Sequence, residues 1–202
     1  MRVLVACEYS GEVRDSFLRR GHDAMSCDLL PTNVPGPHYE GDVMDVIEGG
    51  WDLMIAHPPC TYLSSAGSAW FNEERYGDKA RQRKLDREVA AEFFMALYNA
   101  PCQRVCVENP VGYMSRYFRK PDQYIEPYWF GEPYYKKTGL WLKGLPALIA
   151  TNQVEPQFYH VSSGSNYKQN KISKAKAKRH WKDRSVTFHG IAEAMAEQWG
   201  VY

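Results

Sequence analysis

The chain has 202 residues, of which 44% are hydrophobic and 24% are charged, and its formal net charge is +1. This length and composition are typical of one soluble globular domain and exclude fibrous and intrinsically disordered proteins. No apolar run approaches the roughly 18 residues that a membrane span needs. Residues 1–6 are too short for the apolar core of a secretory signal, so we expect a cytoplasmic protein.

The charge is distributed unevenly along the chain. Residues 168–184 contain eight of the 25 basic residues and one of the 24 acidic residues. The remainder therefore has 17 basic and 23 acidic residues, a net charge of −6. A basic segment on an acidic body is typical of a protein that contacts a phosphate backbone. A solvated loop without a partner is the alternative.

Five cysteines, an odd number, are scattered through the sequence without a CxxC pair. This spacing argues against a disulfide framework and against a zinc knuckle, so we expect no bound metal. Free cysteines in a reducing compartment usually pack as small buried hydrophobic residues.

In chain order, apolar runs and periodic segments predict an α/β domain with a mostly parallel sheet, formed by residues 1–202 as a single unit. Strands are predicted at residues 3–6, 24–27, 51–56, 104–107 and 139–142. Helices are predicted at residues 13–20, 79–98 and 188–199. Loops are predicted at residues 31–40, which contain three prolines, and at the polar residues 152–185.

The two later helices have predicted core faces. For the helix at residues 79–98, the expected apolar face consists of Val89, Phe93, Phe94 and Leu97. The C-terminal helix is expected to begin after an N-cap at Thr187 and to direct Ile191 and Met195 into the core.

In an open parallel sheet, ligands bind beyond the carboxyl ends of the strands. Four predicted strand ends carry residues suited to chemistry: residues 7–11, Asp28, residues 57–64 and residues 108–112. We therefore place the functional site at this edge of the sheet.

The segment His57-Pro58-Pro59-Cys60 follows the third predicted strand. Two prolines fix the backbone into a rigid turn, and a cysteine displayed on such a turn is positioned as a nucleophile. A buried thiol that happens to follow two prolines is the alternative interpretation.

Glu108 and Asn109 follow the apolar residues 105–107. A carboxylate at the end of a buried strand is partly desolvated, so we expect a raised pKa and a proton held near neutrality. A lone glutamate there is more often a helix cap or an ion-pair partner. The presence of Cys60 on the neighbouring strand end favours a functional role for Glu108.

Two acids are candidates for binding a nucleotide-like cofactor. Asp28 ends the second predicted strand about twenty residues after the first turn, where acids typically bind ribose hydroxyls. Asp42 lies ahead of the third strand, and either aspartate alone could be a turn residue. The first turn contains a single glycine, Gly11, and is a weak cofactor signal.

Taken together, the order of these segments resembles that of the DNA cytosine-C5 methyltransferases. The resemblance covers residues 1–112 and rests mainly on Pro58-Pro59-Cys60 followed by Glu108-Asn109. Residues 191–196 resemble the family's last motif. Small stand-alone proteins of this type occur in phages and prophages, which implies a bacterial or phage-infected host cell.

The resemblance implies a Rossmann-like, S-adenosylmethionine-dependent methyltransferase domain. Cys60 would add to C6 of cytosine, and Glu108 would contact N3. The cofactor-binding residues would be Glu8, Tyr9, Gly11, Asp28, Asp42 and Pro58. Asn109 and Lys137 would bind the substrate. The basic segment would add contacts to the nucleic acid through Lys174, Lys176, Lys178 and Arg179, an expectation that rests on its charge.

The sequence departs from the family in several places, among them Thr61, where glutamine is usual, and Pro110, where valine is usual. The glycines of the first turn are replaced by Glu8, Tyr9 and Ser10, and no arginine motif for the flipped base is recognisable, so Lys137 is assigned its place. Only about 40 residues separate Leu148 from Thr187, too few for a separate target recognition domain.

RNA, single-stranded DNA or a free pyrimidine nucleotide is thus an alternative substrate. A catalytically silent binding module is a further alternative, and the oligomeric state stays open.

Overall fold

The computed structural model describes residues 1–159 and 186–201. Within these residues, seven strands form the main sheet in the order β3-β2-β1-β4-β5-β8-β6, and β7 and β9 form a separate pair. The strands are β1 Arg2–Ala6, β2 Asp23–Asp28, β3 His38–Glu40, β4 Leu53–Ala56, β5 Arg104–Pro110, β6 Gln123–Ile125, β7 Tyr134–Tyr135, β8 Thr138–Lys143 and β9 Phe158–Tyr159. The helices are α1 Glu12–Arg19, α2 Glu73–Tyr76, α3 Asp78–Tyr98, α4 Met114–Tyr117 and α5 His189–Trp199.

The centre of the sheet is parallel, as the sequence predicts. Strand β1 pairs in parallel with β2 and β4, and β4 pairs in parallel with β5. Strand β8 runs antiparallel to both β5 and β6. Strands β1 and β4 are almost entirely buried because helices cover both faces of the sheet, which explains their continuous apolar sequences. The predicted α/β fold class with a mostly parallel sheet is confirmed.

Helices α1 and α5 cover one face of the sheet, and α3 covers the other. On the first face, Phe17 and Trp199 are fully buried. On the second face, Phe94 packs edge-on against Trp141 with the ring centroids 5.1 Å apart. Each such aromatic side chain contributes roughly 2–3 kcal/mol through the burial of its apolar surface.

The predicted core face of α3 is wrong at Val89, whose side chain is 65% exposed. The buried residues of this helix are Ala80, Ala91, Phe94 and Leu97. At about 100° per residue, Val89 lies about 140° around the helix from Phe94, so the two cannot share one face. The predicted core positions Ile191 and Met195 of α5 are confirmed as buried.

Two local predictions are also wrong. Residues 31–40 are not all loop, because β3 begins directly after Pro37 and pairs with β2 at the sheet edge. Thr187 is not the N-cap of α5, since Phe188 occupies that position without a side-chain cap. A carboxylate oxygen of Glu132 instead accepts a hydrogen bond from the backbone N–H of Gly190 at 2.7 Å. A distant residue thus caps the helix.

The predicted loop at residues 152–185 contains β9, and its residues 160–185 lie outside the described part of the chain. In the described ranges, no helix combines the length and apolarity that crossing a membrane requires.

Candidate active site

The carboxyl ends of β1, β2, β4 and β5 lie along one edge of the sheet, because these four strands are parallel neighbours. The order of the strands reverses between β1 and β4, which is the point where doubly wound sheets bind ligands. The structure therefore brings residues 7–11, Asp28, residues 57–64 and residues 108–112 to the edge that the sequence indicates.

Cys60 is exposed at this edge, whereas Cys27, Cys102 and Cys106 are buried and Cys7 is partly buried. Its backbone carbonyl accepts hydrogen bonds from the N–H groups of Leu63 at 3.1 Å and Ser64 at 2.9 Å. These two bonds close a tight turn directly after the two prolines. The thiol is thus displayed at the surface on a fixed backbone, as a nucleophile requires.

Asn109 joins this turn to strand β5. The side chain is buried, and its amide nitrogen donates a hydrogen bond to the carbonyl of Pro58 at 3.0 Å. Pro58 is itself buried, although Pro59 is exposed. The position of Cys60 is thereby tied to the strand that carries Glu108.

Glu108 is paired with His57, a residue without a predicted role. Ala56 of β4 is the register partner of Val107 of β5, so His57 and Glu108 are the next residues along two adjacent strands. Their side chains meet with His57 Nδ1 2.7 Å from Glu108 Oε2. The signal in the sequence was a histidine at the end of one buried strand and a carboxylate at the end of the next.

The predicted direction of the Glu108 pKa is wrong. Burial raises the pKa of Glu108, but the hydrogen bond and charge of His57, together with the charge of Lys136, outweigh burial. The net effect lowers the pKa, which favours the ionised form of Glu108 beside His57.

A small pocket of about 10 Å³, roughly the room of one water molecule, lies next to Glu108. Lys136 of the loop before β8 and Phe188 at the start of α5 line it. Lys137, the predicted substrate-binding residue, is exposed, and its ammonium group lies 4.4 Å from the ring centroid of Tyr124. Of the two adjacent lysines, Lys136 is therefore the one beside the carboxylate.

The first turn is organised around Glu8, whose carboxylate is buried. It accepts hydrogen bonds from the backbone N–H groups of Val13 at 2.7 Å and Arg14 at 3.2 Å, and from the Ser10 hydroxyl at 3.2 Å. Burial raises the pKa of Glu8, whereas the charge of His57 and these hydrogen bonds lower it less strongly. Glu8 thus caps the first turn of α1.

Gly11 and Tyr9 complete this turn. Gly11 has φ of +79°, and a Cβ there would lie 2.5 Å from the guanidinium of Arg14, so both backbone and space require glycine. Tyr9 is buried, and its carbonyl accepts a hydrogen bond from the N–H of Asn33 at 2.8 Å.

Asp28 and Asp42 lie beside this turn and bear on the type of cofactor that fits. Asp28 is partly buried at the end of β2, which raises its pKa, and Asp42 is exposed where it caps the turn at Val43–Asp45. The N-terminus of α1 would ordinarily attract a pyrophosphate, but the carboxylate of Glu8 already occupies its N–H groups. The site therefore fits a phosphate-free nucleoside cofactor better than a dinucleotide.

The segment after Cys60 is held against α3 by Arg83. The guanidinium donates to the carbonyl of Thr61 at 2.7 Å and lies 4.8 Å from the ring centroid of Tyr62. Farther along, Trp70 is 55% exposed and lies 4.8 Å from the ring of Tyr76. Arg83 therefore fixes the segment that follows Cys60, and Trp70 presents an exposed aromatic ring farther along the same segment.

The remaining predicted substrate-binding residues, Lys174, Lys176, Lys178 and Arg179, lie outside the described residues. Within residues 1–159 and 186–201, no group of three or more metal-ligating side chains is placed to hold a metal ion.

No protein-family model matches the chain, and no curated protein matches it. The chain is similar to a solved structure described as a DNA modification methyltransferase encoded within a prophage (E. coli), with 15% identity and a TM-score of 0.46 over 70% of this chain and 46% of that one. The S. pombe Dnmt2 methyltransferase is 13% identical, with a TM-score of 0.43 over 73% and 50% of the two chains. The Entamoeba histolytica methyltransferase EhMeth is 10% identical, with a TM-score of 0.45 over 76% and 57%. The chain thus spans about half the length of these structures.

Proposed function

We propose that this chain transfers a methyl group from S-adenosylmethionine to C5 of a cytosine in nucleic acid, with DNA as the substrate. The supporting observation is the connection between the exposed thiol and the carboxylate. Cys60 lies on a rigid turn that Asn109 ties to β5, and β5 carries Glu108 at the same edge of the sheet.

In this reaction the Cys60 thiolate forms a bond to C6 of the cytosine. The C5–C6 π electrons shift towards C5 and through C4 to N3, and Glu108 stabilises this charge by holding a proton at N3. S-adenosylmethionine, when bound, supplies an electrophilic methyl group to the activated C5. Transfer of the C5 proton to solvent water then re-forms the C5–C6 double bond, and the sulfur leaves as a thiolate with the electron pair of the S–C6 bond.

The cofactor would lie at the reversal of strand order between β1 and β4. Asp28 would bind the ribose hydroxyls and Asp42 the adenine, with Glu8, Tyr9, Gly11 and Pro58 forming the adjoining wall. The occupied helix N-terminus supports a cofactor without phosphates.

The target base must leave the stack or already be single-stranded, because C6 is inaccessible to a side chain inside a duplex. The exposed ring of Trp70, ten residues after Cys60 in the chain, offers a stacking surface for a base. The lysines and arginines of residues 168–184 would add phosphate contacts that carry little base discrimination. We therefore expect short or relaxed sequence specificity, which one long, strict methylated sequence would contradict.

The test is transfer of labelled methyl from S-adenosylmethionine to double-stranded DNA, single-stranded DNA, RNA and dCMP in parallel. We expect label at cytosine C5 in DNA, and no label with Cys60→Ser. Cys102→Ser is the matched control, since Cys102 is buried away from the edge and should leave transfer intact. Label in RNA or dCMP alone would reassign the substrate. If the native chain neither transfers the label nor binds S-adenosylmethionine, it is a silent binding module.

The covalent step can be tested separately with DNA that contains 5-fluorocytosine. Because fluorine at C5 cannot leave as a proton does, the adduct persists and migrates as a protein–DNA complex in denaturing gels. We expect this complex with the native chain and with Cys102→Ser, but not with Cys60→Ser. A complex of full yield with Cys60→Ser would exclude Cys60 as the nucleophile.

A further inference from the structure

The pair formed by His57 and Glu108 is more enclosed than the exposed nucleophile beside it. The side chains of His57 and Glu108 are only 9% and 15% exposed. Nδ1 of His57 is 2.7 Å from Oε2 of Glu108, while Nε2 is buried without a hydrogen-bond partner among the described residues. An imidazole and a carboxylate in such contact exchange protons more readily with each other than with solvent.

Charged groups act on this pair from three neighbouring elements. Glu8 lies on the side of β1 and interacts electrostatically with His57. Glu108 faces His57 from β5, and Lys136, in the loop before β8, acts on Glu108 from the far side. The carboxylate of Glu108 therefore has the imidazole of His57 on one side and the ammonium group of Lys136 on the other, and both neighbours favour its ionised form.

We propose that His57 stores the proton that Glu108 delivers to N3 of the base, an inference that rests on the proposed function. When the Cys60–C6 bond forms, N3 becomes basic. One proton moves from Nδ1 of His57 to the carboxylate of Glu108 and from the resulting acid to N3. Neutral His57 and ionised Glu108 remain, and the same proton returns when the sulfur leaves C6.

This role explains why an ionised Glu108 is compatible with acid catalysis. A carboxylate alone has no proton to give, but the His57–Glu108 pair holds one proton as a unit, and interacting groups titrate as a pair. His57 acts through Glu108 and is therefore a positioning residue. Its Nδ1 holds Oε2 of Glu108 in place, and His57 sets the pH up to which the pair keeps its proton.

The experiment compares the pH dependence of single-turnover methyl transfer in the native chain and in His57→Asn. Asparagine can donate a similar hydrogen bond to Glu108 but cannot store a proton. In the variant, Glu108 is the one remaining site that can hold the proton. The activity of the variant should therefore begin to fall at a pH about one unit or more below the pH at which the native activity falls. The rate should recover towards the native value in acid. His22→Asn, at a histidine beside Phe17 and remote from this edge, is the matched control and should leave the profile unchanged.

If His57 had a purely structural role, the result would differ. The methyl-transfer rate of the variant would be reduced by the same factor at every pH, and its pH profile would not shift. That result, or superimposable profiles, would overturn the proposal while leaving methyl transfer established. Absence of transfer by the native chain at every pH would instead overturn the proposed function.

A second measurement does not depend on activity or on the folding of the asparagine variant. In the native chain, nitrogen NMR of His57 should show a protonated, strongly hydrogen-bonded Nδ1 whose titration changes in Glu108→Gln. Identical His57 titration in the native chain and in Glu108→Gln would show that the two residues are not coupled, and would overturn the proposal.

Discussion

Gly112 lies at the contact between the loop that follows β5 and the segment that follows Cys60. Ser64 and Gly112 form an antiparallel bridge, and the N–H of Tyr113 donates to the carbonyl of Leu63 at 2.7 Å. A Cβ on Gly112 would lie 2.0 Å from that carbonyl oxygen, whereas real Cβ contacts are essentially never under 3.0 Å. In Gly112→Ala, the backbone of Leu63 must therefore retreat by about 1 Å.

The cost of this movement can be worked out from its parts. Steric overpacking costs typically 1–3 kcal/mol. The bridge also includes the bond from the N–H of Ser65 to the carbonyl of Val111 at 3.1 Å. Weakening one or two such bonds adds about 0.5–1.5 kcal/mol each. These parts add up to about 1.5–6 kcal/mol, and because the bonds are weakened rather than lost, we expect Gly112→Ala to lower the free energy of unfolding by about 2–4 kcal/mol.

The effect on activity should be larger than the loss of stability alone explains. The N–H of Leu63 donates to the carbonyl of Cys60, so a shift of Leu63 moves the nucleophile. A misplacement of about 1 Å at a reacting group can cost on the order of 100-fold in rate. Urea unfolding and single-turnover methyl transfer, both at a temperature where the variant is folded, measure the two effects.

Gly67→Ala is the control for stability because it changes a glycine of the same segment. A Cβ at Gly67 meets the end of the Arg83 side chain at 2.9 Å but approaches backbone no closer than 3.4 Å. We expect its unfolding free energy to stay within about 1 kcal/mol of the native value. Native stability and native rate in Gly112→Ala would refute the proposed link between this contact and the position of Cys60.

Two further predictions concern charged residues. Burial raises the pKa of Glu193, but hydrogen bonds from Arg19 at the end of α1 and from Arg20 next to it outweigh burial and lower the pKa to about 2. This stabilisation is complete above the unfolded-state pKa and is lost as the pH falls towards 2. Glu193→Gln should therefore cost about 1 kcal/mol in urea unfolding at pH 7 and almost nothing near pH 2, and equal costs at both would contradict the assignment. Lys136→Met should lower the methyl-transfer rate at least tenfold and Lys137→Met less than threefold, because the cavity beside Glu108 includes the first lysine; the reverse order would favour Lys137.

The centre of the fold was predictable because its signals are local. Strands β1, β4 and β5 are buried on both faces, so each appears in the sequence as an apolar run. The shorter strands β3, β6, β7 and β9 have two or three residues and polar or aromatic sequences, and only their pairing partners make them strands. The antiparallel direction of β8 is likewise set by its position between β5 and β6.

Buried polar residues were the least predictable part of the interior. Arg14 appears in the sequence as an exposed residue of a charged helix, yet its side chain is fully buried. It donates hydrogen bonds to the hydroxyls of Ser26 and Thr32 and to the carbonyl of Val34, which hold the loop beyond β2 against α1. These acceptors are 12 to 20 residues away in sequence, so no local pattern indicates the contact.

The candidate site shows the same division between local and long-range information. Cys60 and Glu108 could be found because each follows an apolar strand and has chemistry that packing does not require. The pKa of Glu108 was misjudged because burial was considered without its partner, and that partner is fixed by sheet register. Given Ala56 opposite Val107, the next two residues must be neighbours. A shift of the register by one residue would separate His57 from Glu108, so the pairing of two apolar residues determines whether the carboxylate has a proton within reach.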